Sequence, residues 1–238
     1  MQLGDLKQAK DFQERALDIQ VKKLGPEHVY VAASYNSLGL VYGKLGDLKK
    51  AKDFQERAMD VRLKKLGPEH ADVAESYNNL GLVYEQLGDL KLAKDFHERA
   101  LDVSLKKLGP EHVHVATSYN NLGFVHRQLG DLRRAKDFHK RDLDVLLKKL
   151  GPEHVDVATS YNSLGLVYGQ LGDLKQAKDF HERALDVRLK KLGPDHFHVA
   201  TSYDNLGIIH RQLGDLNQAK DCHKQGLDVR LKTLGPEH

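Results

Sequence analysis

Residues 151–192 read GPEHVDVATSYNSLGLVYGQLGDLKQAKDFHERALDVRLKKL, and this stretch holds two helices with their punctuation. Pro152 suits the first turn of a helix, where a missing N–H costs nothing. From Val155 to Leu171, the residues Val157, Ala158, Tyr161, Leu164, Gly165 and Tyr168 recur at steps of three and four, giving one wide apolar face. Gly172 ends this first helix, and Asp173 stands where its carboxylate can cap the next. The second helix, from about Leu174 to Leu192, carries Lys190 and Lys191 in its last turn, where cations suit the negative end of the helix dipole. Asp179 with Arg183 and Asp186 with Lys190 set acid before base at a spacing of four, on a side read as solvated.

The same block returns every 42 residues. Gly-Pro-acidic-His begins at Gly25, Gly67, Gly109, Gly151, Gly193 and Gly235. Tyr-Asn-x-Leu-Gly begins at Tyr35, Tyr77, Tyr119 and Tyr161, with Tyr-Asp-Asn-Leu-Gly at Tyr203. A strict period of this length marks units that bury apolar surface on their neighbours. The predicted fold is all-α, a solenoid of antiparallel helix pairs, in which the earlier helix of each block is A and the later B. A B helix is expected at 5–24, then A/B pairs at about 29–66, 71–108, 113–150, 155–192 and 197–234. Gln2-Leu3-Gly4 reads as the end of an A helix, and Gly235-Pro236-Glu237-His238 as the approach to another. Both ends are therefore expected to be cut within a longer array, and uncovered apolar edges predict end-to-end self-association.

Such a surface is long and ordered, with no deep central pocket, so binding is the default function and catalysis is not expected. The formal charge is +3, from 37 basic and 34 acidic residues without a basic cluster, so neither nucleic acid nor a membrane surface is expected as a partner. No apolar run is long enough to span a bilayer, and nothing resembles a signal peptide. The single Cys222 forms no internal disulfide and stands where Phe12, Phe54, Phe96, Phe138 and Phe180 stand in other blocks, so it reads as a small buried substitute. A cytoplasmic protein is the expectation. Among the 14 histidines, the pairs His112/His114 and His196/His198 gain no third ligand at a recognisable spacing, so no metal and no other cofactor is expected. No phosphate-cradling glycine loop and no nucleophile with a dedicated base stands apart from the repeat.

Small residues suggest close approach. Ala158 and Gly165 lie seven apart on the A helix, as do Ala177 and Ala184 on the B helix. Gly39, Gly81, Gly123, Gly165 and Gly207 recur in mid-helix, where glycine costs about 0.5–1 kcal/mol relative to alanine, so a packing reason is expected. Asp142 interrupts the alanine strip and Gly226 replaces it in the last block. A carboxylate at a packed position predicts a weak fourth long helix.

The pattern Tyr161, Leu164-Gly165, Tyr168, Gly172-Asp173, Ala177 and Ala184 resembles the tetratricopeptide repeat, lengthened to 42 residues, and its wording is similar to the repeats of kinesin light chains and nephrocystin-like proteins. The resemblance covers essentially the whole chain and implies a right-handed superhelix whose A helices line a concave groove for peptides or protein segments. Two departures stand out. His181 follows Phe180 where the family more often has an aromatic, and the tyrosine of Tyr42, Tyr84 and Tyr168 becomes His126 and His210.

On the A helix, positions 159, 162, 163, 166, 169 and 170 face away from Tyr161, Leu164 and Tyr168, on the side the resemblance gives to the groove. Asn36, Asn78, Asn120 and Asn162 repeat there, with Asp204 in the fifth block, and an amide row can bond an extended peptide backbone of any sequence. Beside them run Leu40, Leu82, Phe124, Leu166 and Ile208, and one turn on come Gly43, Glu85, Arg127, Gly169 and Arg211. The expected role is a protein-interaction adaptor. Its ligand would be an extended protein segment with apolar and acidic residues: the apolar row sets affinity, while Arg127 and Arg211 set preference and salt sensitivity. The other reading of these rows is that the asparagines bond neighbouring helices and the apolar row is core. The alternative function is a structural spacer or self-associating array with no peptide ligand.

Overall fold

The computed structural model describes residues 3–234, with the backbone alone for Leu3 and Leu234; residues 1, 2 and the Gly-Pro-Glu-His turn expected at 235–238 lie outside them. The described residues form eleven α-helices and no strand. They are α1 (Leu3–Leu24), α2 (Val29–Lys44), α3 (Leu48–Leu66), α4 (Ala71–Leu87), α5 (Leu90–Leu108), α6 (Val113–Gln128), α7 (Leu132–Leu150), α8 (Val155–Gln170), α9 (Leu174–Leu192), α10 (Phe197–Gln212) and α11 (Leu216–Leu234). Two compact units divide the chain, Met1–Val125 and His126–His238.

Local chemistry explains where helices stop and start. Asp47, Asp89, Asp131 and Asp173 cap α3, α5, α7 and α9, each side chain accepting from the backbone N–H three residues on; for Asp173 the bond from Gln176 is 3.2 Å. Pro152 does not enter a helix. It lies in the turn before α8, because Gly151 closes α7 at φ 80°, ψ 165°, a conformation open essentially to glycine alone. The histidine of the same turn then does the capping. Nδ1 of His28, His70, His112, His154 and His196 accepts the N–H two residues on, at 3.1–3.2 Å. Histidine is not a usual cap, so the sequence pattern alone did not assign it this work.

In the first unit, α2 packs on α3 and α4 on α5, with α1 against α2 and α3 against α4. In the second, α8 packs on α9 and α10 on α11, with α7 against α8 and α9 against α10. The core is a repeated layer: Leu38, Leu80 and Leu122 in one unit and Leu164 in the other are fully enclosed, together with the alanines of the strip. Phe54 stacks on Tyr42 at 5.5 Å and Phe180 on Tyr168 at 5.4 Å. His126 keeps that stack, lying 5.3 Å from Phe138, so the tyrosine-to-histidine exchange preserves a flat partner. Cys222 is buried, as a small substitute for phenylalanine should be. The outward pairs Asp179–Arg183 (3.0 Å) and Asp186–Lys190 (2.7 Å) are exposed and contribute little to stability.

The recurrent helix-A glycine has the packing reason that its cost demands. It admits a side chain, not a second backbone. A Cβ built on Gly165 would lie 2.6–2.8 Å from the His181 imidazole, and one on Gly39 would lie 2.6–2.9 Å from Gln55. The residue after the B-helix phenylalanine therefore lies flat on the glycine of its own helix pair.

Asp142 is buried, and Ser160 Oγ donates to its Oδ2 at 2.6 Å. Elsewhere this serine row meets a buried arginine: Arg62 Nη1 donates to Ser76 Oγ (2.8 Å), and Arg188 Nη1 to Ser202 Oγ (2.7 Å). Leu146 stands where those arginines stand, which leaves Ser160 free to turn to Asp142. Burial pushes the Asp142 carboxyl up to about 7, against the lowering effect of the Ser160 bond.

Candidate functional site: the outward face of the A helices

In the first unit the amide row is committed between repeats. Asn36 Oδ1 accepts from Asn79 Nδ2 (2.7 Å), and its Nδ2 donates to Glu75 (3.2 Å). Asn78 Nδ2 donates to Ser118 Oγ (3.0 Å), and its Oδ1 faces His97 Nδ1 (2.9 Å). Both asparagines are buried. Asn120 is half-buried, and its side-chain oxygen is enclosed. In the second unit Asn162 Oδ1 accepts from Asn205 Nδ2 (2.7 Å), while Asp204 pairs with Arg230 and lies 3.6 Å from His223. The partner that the sequence did not reveal is the asparagine one residue past the row, Asn79 or Asn205, which sits 43 residues on from its acceptor.

The apolar row is more open. Leu82 is 38% exposed, Phe124 39% and Ile208 40%, with Leu40 also exposed and Leu166 half-buried. The two arginines differ: Arg127 is half-buried, and burial lowers its pKa, whereas Arg211 is exposed.

Two clefts flank this row, one in each unit. A cleft of about 190 Å³ lies among Asn78, Asn79, Leu82, Ser104, His114 and Asn121. A second, of about 160 Å³, lies among Gly165, Leu166, Gly169, His181, Asn205 and Ile208. Among the described residues no cluster of three or more His, Cys, Asp or Glu could hold a metal ion, and no helix is long and apolar enough to cross a membrane.

The tetratricopeptide repeat model matches residues 1–64, 53–106, 72–148, 115–190 and 156–232, and the chain belongs to that family. Its repeats generally mediate protein–protein interaction, and its members are generally scaffolds, not enzymes. The crystal structure of BtubC (BKLC) from P. vanneervenii is similar over 97% of this chain and 92% of that one, with a TM-score of 0.81 and 25% identity. A putative kinesin light chain with nearly identical TPR-like repeats, from Podosopora anserina, is similar over 87% of this chain and 98% of that one, with a TM-score of 0.72 and 22% identity. MamA protein shares the fold over 87% of this chain and 96% of that one, with a TM-score of 0.56 and 19% identity. No curated protein matches the sequence. The all-α tetratricopeptide solenoid class is thereby established.

Proposed function

We propose that the protein is a cytoplasmic adaptor that takes an extended segment of a partner protein on the outward face of the A helices within a unit. The observation that carries this reading is the row of large apolar side chains left open there, Leu40, Leu82 and Phe124 in one unit and Ile208 in the other. With Asn36 and Asn78 already bonded internally, the amides shape the floor, and the apolar residues and clefts supply the contact. Burying one such side chain contributes roughly 1.5–3 kcal/mol, against about 0.2–1 kcal/mol for an exposed charge pair.

The test compares partners captured by the wild-type chain and by Leu82→Ala/Phe124→Ala, with Asp102→Ala/Lys106→Ala on exposed α5 positions as control. We expect the first variant to lose partner affinity by about tenfold to a hundredfold, with helix content unchanged, and the control to keep it. Arg211→Ala should cost less and remove part of the salt dependence. Equal capture by all the variants would move the work to another face and sink the proposal.

Self-association is a second reading, favoured by one observation. Phe12 is 69% exposed, although Phe54, Phe96, Phe138 and Phe180 are each covered by a stacked ring. If another copy covers Phe12, the sedimentation coefficient will rise with concentration for the wild type and stay flat for Phe12→Ser. A wild type that sediments as an ideal monomer at high concentration ends this reading.

A further inference from the structure

The repeat at Gly151–Leu192 carries a cleft whose floor is a buried imidazole, and the repeat at Gly67–Leu108 shows what such an imidazole takes. In that earlier repeat, His97 lies on Gly81 with an oxygen at each ring nitrogen: Asn78 Oδ1 at 2.9 Å from Nδ1 and Glu85 Oε1 at 2.9 Å from Nε2. The Glu85 side chain, almost wholly enclosed, occupies the space at the Nε2 edge of the ring. Moved along by two repeats, His97 becomes His181 and Glu85 becomes Gly169.

The carboxylate is thus missing where its imidazole partner is kept. His181 is only 1% exposed and its ring lines the cleft of about 160 Å³. Its Nδ1, which has no hydrogen-bond partner, corresponds to the His97 nitrogen that Asn78 faces, whereas the nitrogen that meets a carboxylate in the earlier repeat is Nε2. Asn162, the counterpart of Asn78, is turned to Asn205 instead. The residues around this cleft include the amides of Gln170, Asn205 and Gln212 and no acidic side chain. The buried guanidinium of Arg188 adds positive potential, and together with burial, the larger cause, it holds the His181 ring down to about 4. The surroundings favour an anion. Ile208 lines the same cleft and is exposed on its outer side.

Resting on the groove reading above, we propose that this cleft is a subsite for a glutamate side chain of the bound segment, its carboxylate accepting from the His181 imidazole as Glu85 does from His97, with Ile208 taking an apolar neighbour of that glutamate. The occupant is a side chain of an extended peptide, because the cleft opens beside an apolar contact that a free acid would leave unused. The chain's own Glu85 supplies the complementarity argument: the same floor, in the same fold, already holds a carboxylate.

The experiment follows the imidazole signals of the protein by NMR while the capped peptide Ac-Leu-Ser-Glu-Ser-Leu-NH2 is added. Alternation along an extended chain puts both leucines on the side of the glutamate. The His181 signals are assigned by their loss in His181→Gln, a safe replacement because Gln55 occupies the equivalent place on Gly39. The expected result is a saturable shift of the His181 signals. Binding should be about tenfold or more weaker for the peptide with glutamine in place of glutamate, the scale of losing a charge-assisted hydrogen bond.

A second variant keeps the fold and closes the site. Gly169→Glu with Ile209→Val reproduces the Glu85 and Val125 arrangement and relieves the crowding that a Cβ at Gly169 would meet from Ile209 Cδ1, at 3.2 Å. It should melt no lower than the wild type and lose the peptide response. Equal affinity for the glutamate and glutamine peptides overturns the subsite and leaves the groove reading standing. A response to N-acetylglutamate amide as strong as to the pentapeptide overturns the peptide occupant. If neither pentapeptide binds, the subsite is overturned, and the capture experiment with Leu82→Ala/Phe124→Ala decides the groove separately.

Discussion

Asp142→Ala is expected to stabilise the protein, and by far more at pH 8 than at pH 4. The carboxyl is buried between α7 and α8, and desolvation holds its pKa at about 7, above the 3.8 of an ordinary aspartate. A folded-state value above the unfolded one means that folding takes up a proton between those limits. The associated stability is fully present below about pH 4 and falls as pH rises towards 7. A tenfold loss of acidity on folding corresponds to about 1.4 kcal/mol, so the penalty at pH 8 reaches up to about 4 kcal/mol. Alanine, which stands at the equivalent Ala58, Ala100 and Ala184, removes the penalty, and Ser160 keeps a bond to the Asp156 carbonyl at 3.3 Å. Urea unfolding at the two pH values measures it. We expect a gain of about 2–4 kcal/mol at pH 8 and about 1 kcal/mol or less at pH 4. An equal change at both, or a loss at pH 8, would show that Asp142 is ionised and well paired.

Asp142 was visible in the sequence because it breaks a row of alanines, and a broken row is a chemical statement that needs no coordinates. The fold class was legible for a related reason. Gly172, Asp173, Lys190 and Lys191 act through their own backbone neighbourhood, so their spacing fixes where helices begin and end whatever lies around them. The candidate site was less legible because Asn36 and Leu40 lie on the same side of one helix, and periodicity counts turns without identifying the neighbour. Only the three-dimensional offset of 43 residues reveals that Asn79 reaches back to Asn36. His181 illustrates the same blindness. In sequence it was a departure beside Phe180, and its meaning depends on Gly165 beneath it and Gly169 above it, both on another helix. The glycine row called for a close approach, yet nothing local could say whether backbone or imidazole would come.

That row carries the second large effect. At an open mid-helix position, Gly→Ala should stabilise by about 0.5–1 kcal/mol. Gly81→Ala should do the reverse, because a Cβ there would sit 2.7 Å from His97 Nδ1. The ring cannot step aside without breaking its contacts to Asn78 and Glu85, both at 2.9 Å and both enclosed. Overpacking together with stranded buried polar groups places the cost at about 2–4 kcal/mol. Gly165→Ala meets the same ring geometry, but His181 Nδ1 holds no partner and a cleft lies beside the ring, so it should cost only about 1 kcal/mol. A double-mutant cycle tests the cause. In a His97→Ala background the clash is gone, and adding Gly81→Ala should become neutral or stabilising, giving a coupling of about 2 kcal/mol or more. If Gly81→Ala stabilises the chain with His97 in place, the ring is not pinned and the argument fails. If both glycine variants cost the same, the Glu85 and Asn78 contacts do not hold the ring, and the difference between the two repeats lies elsewhere.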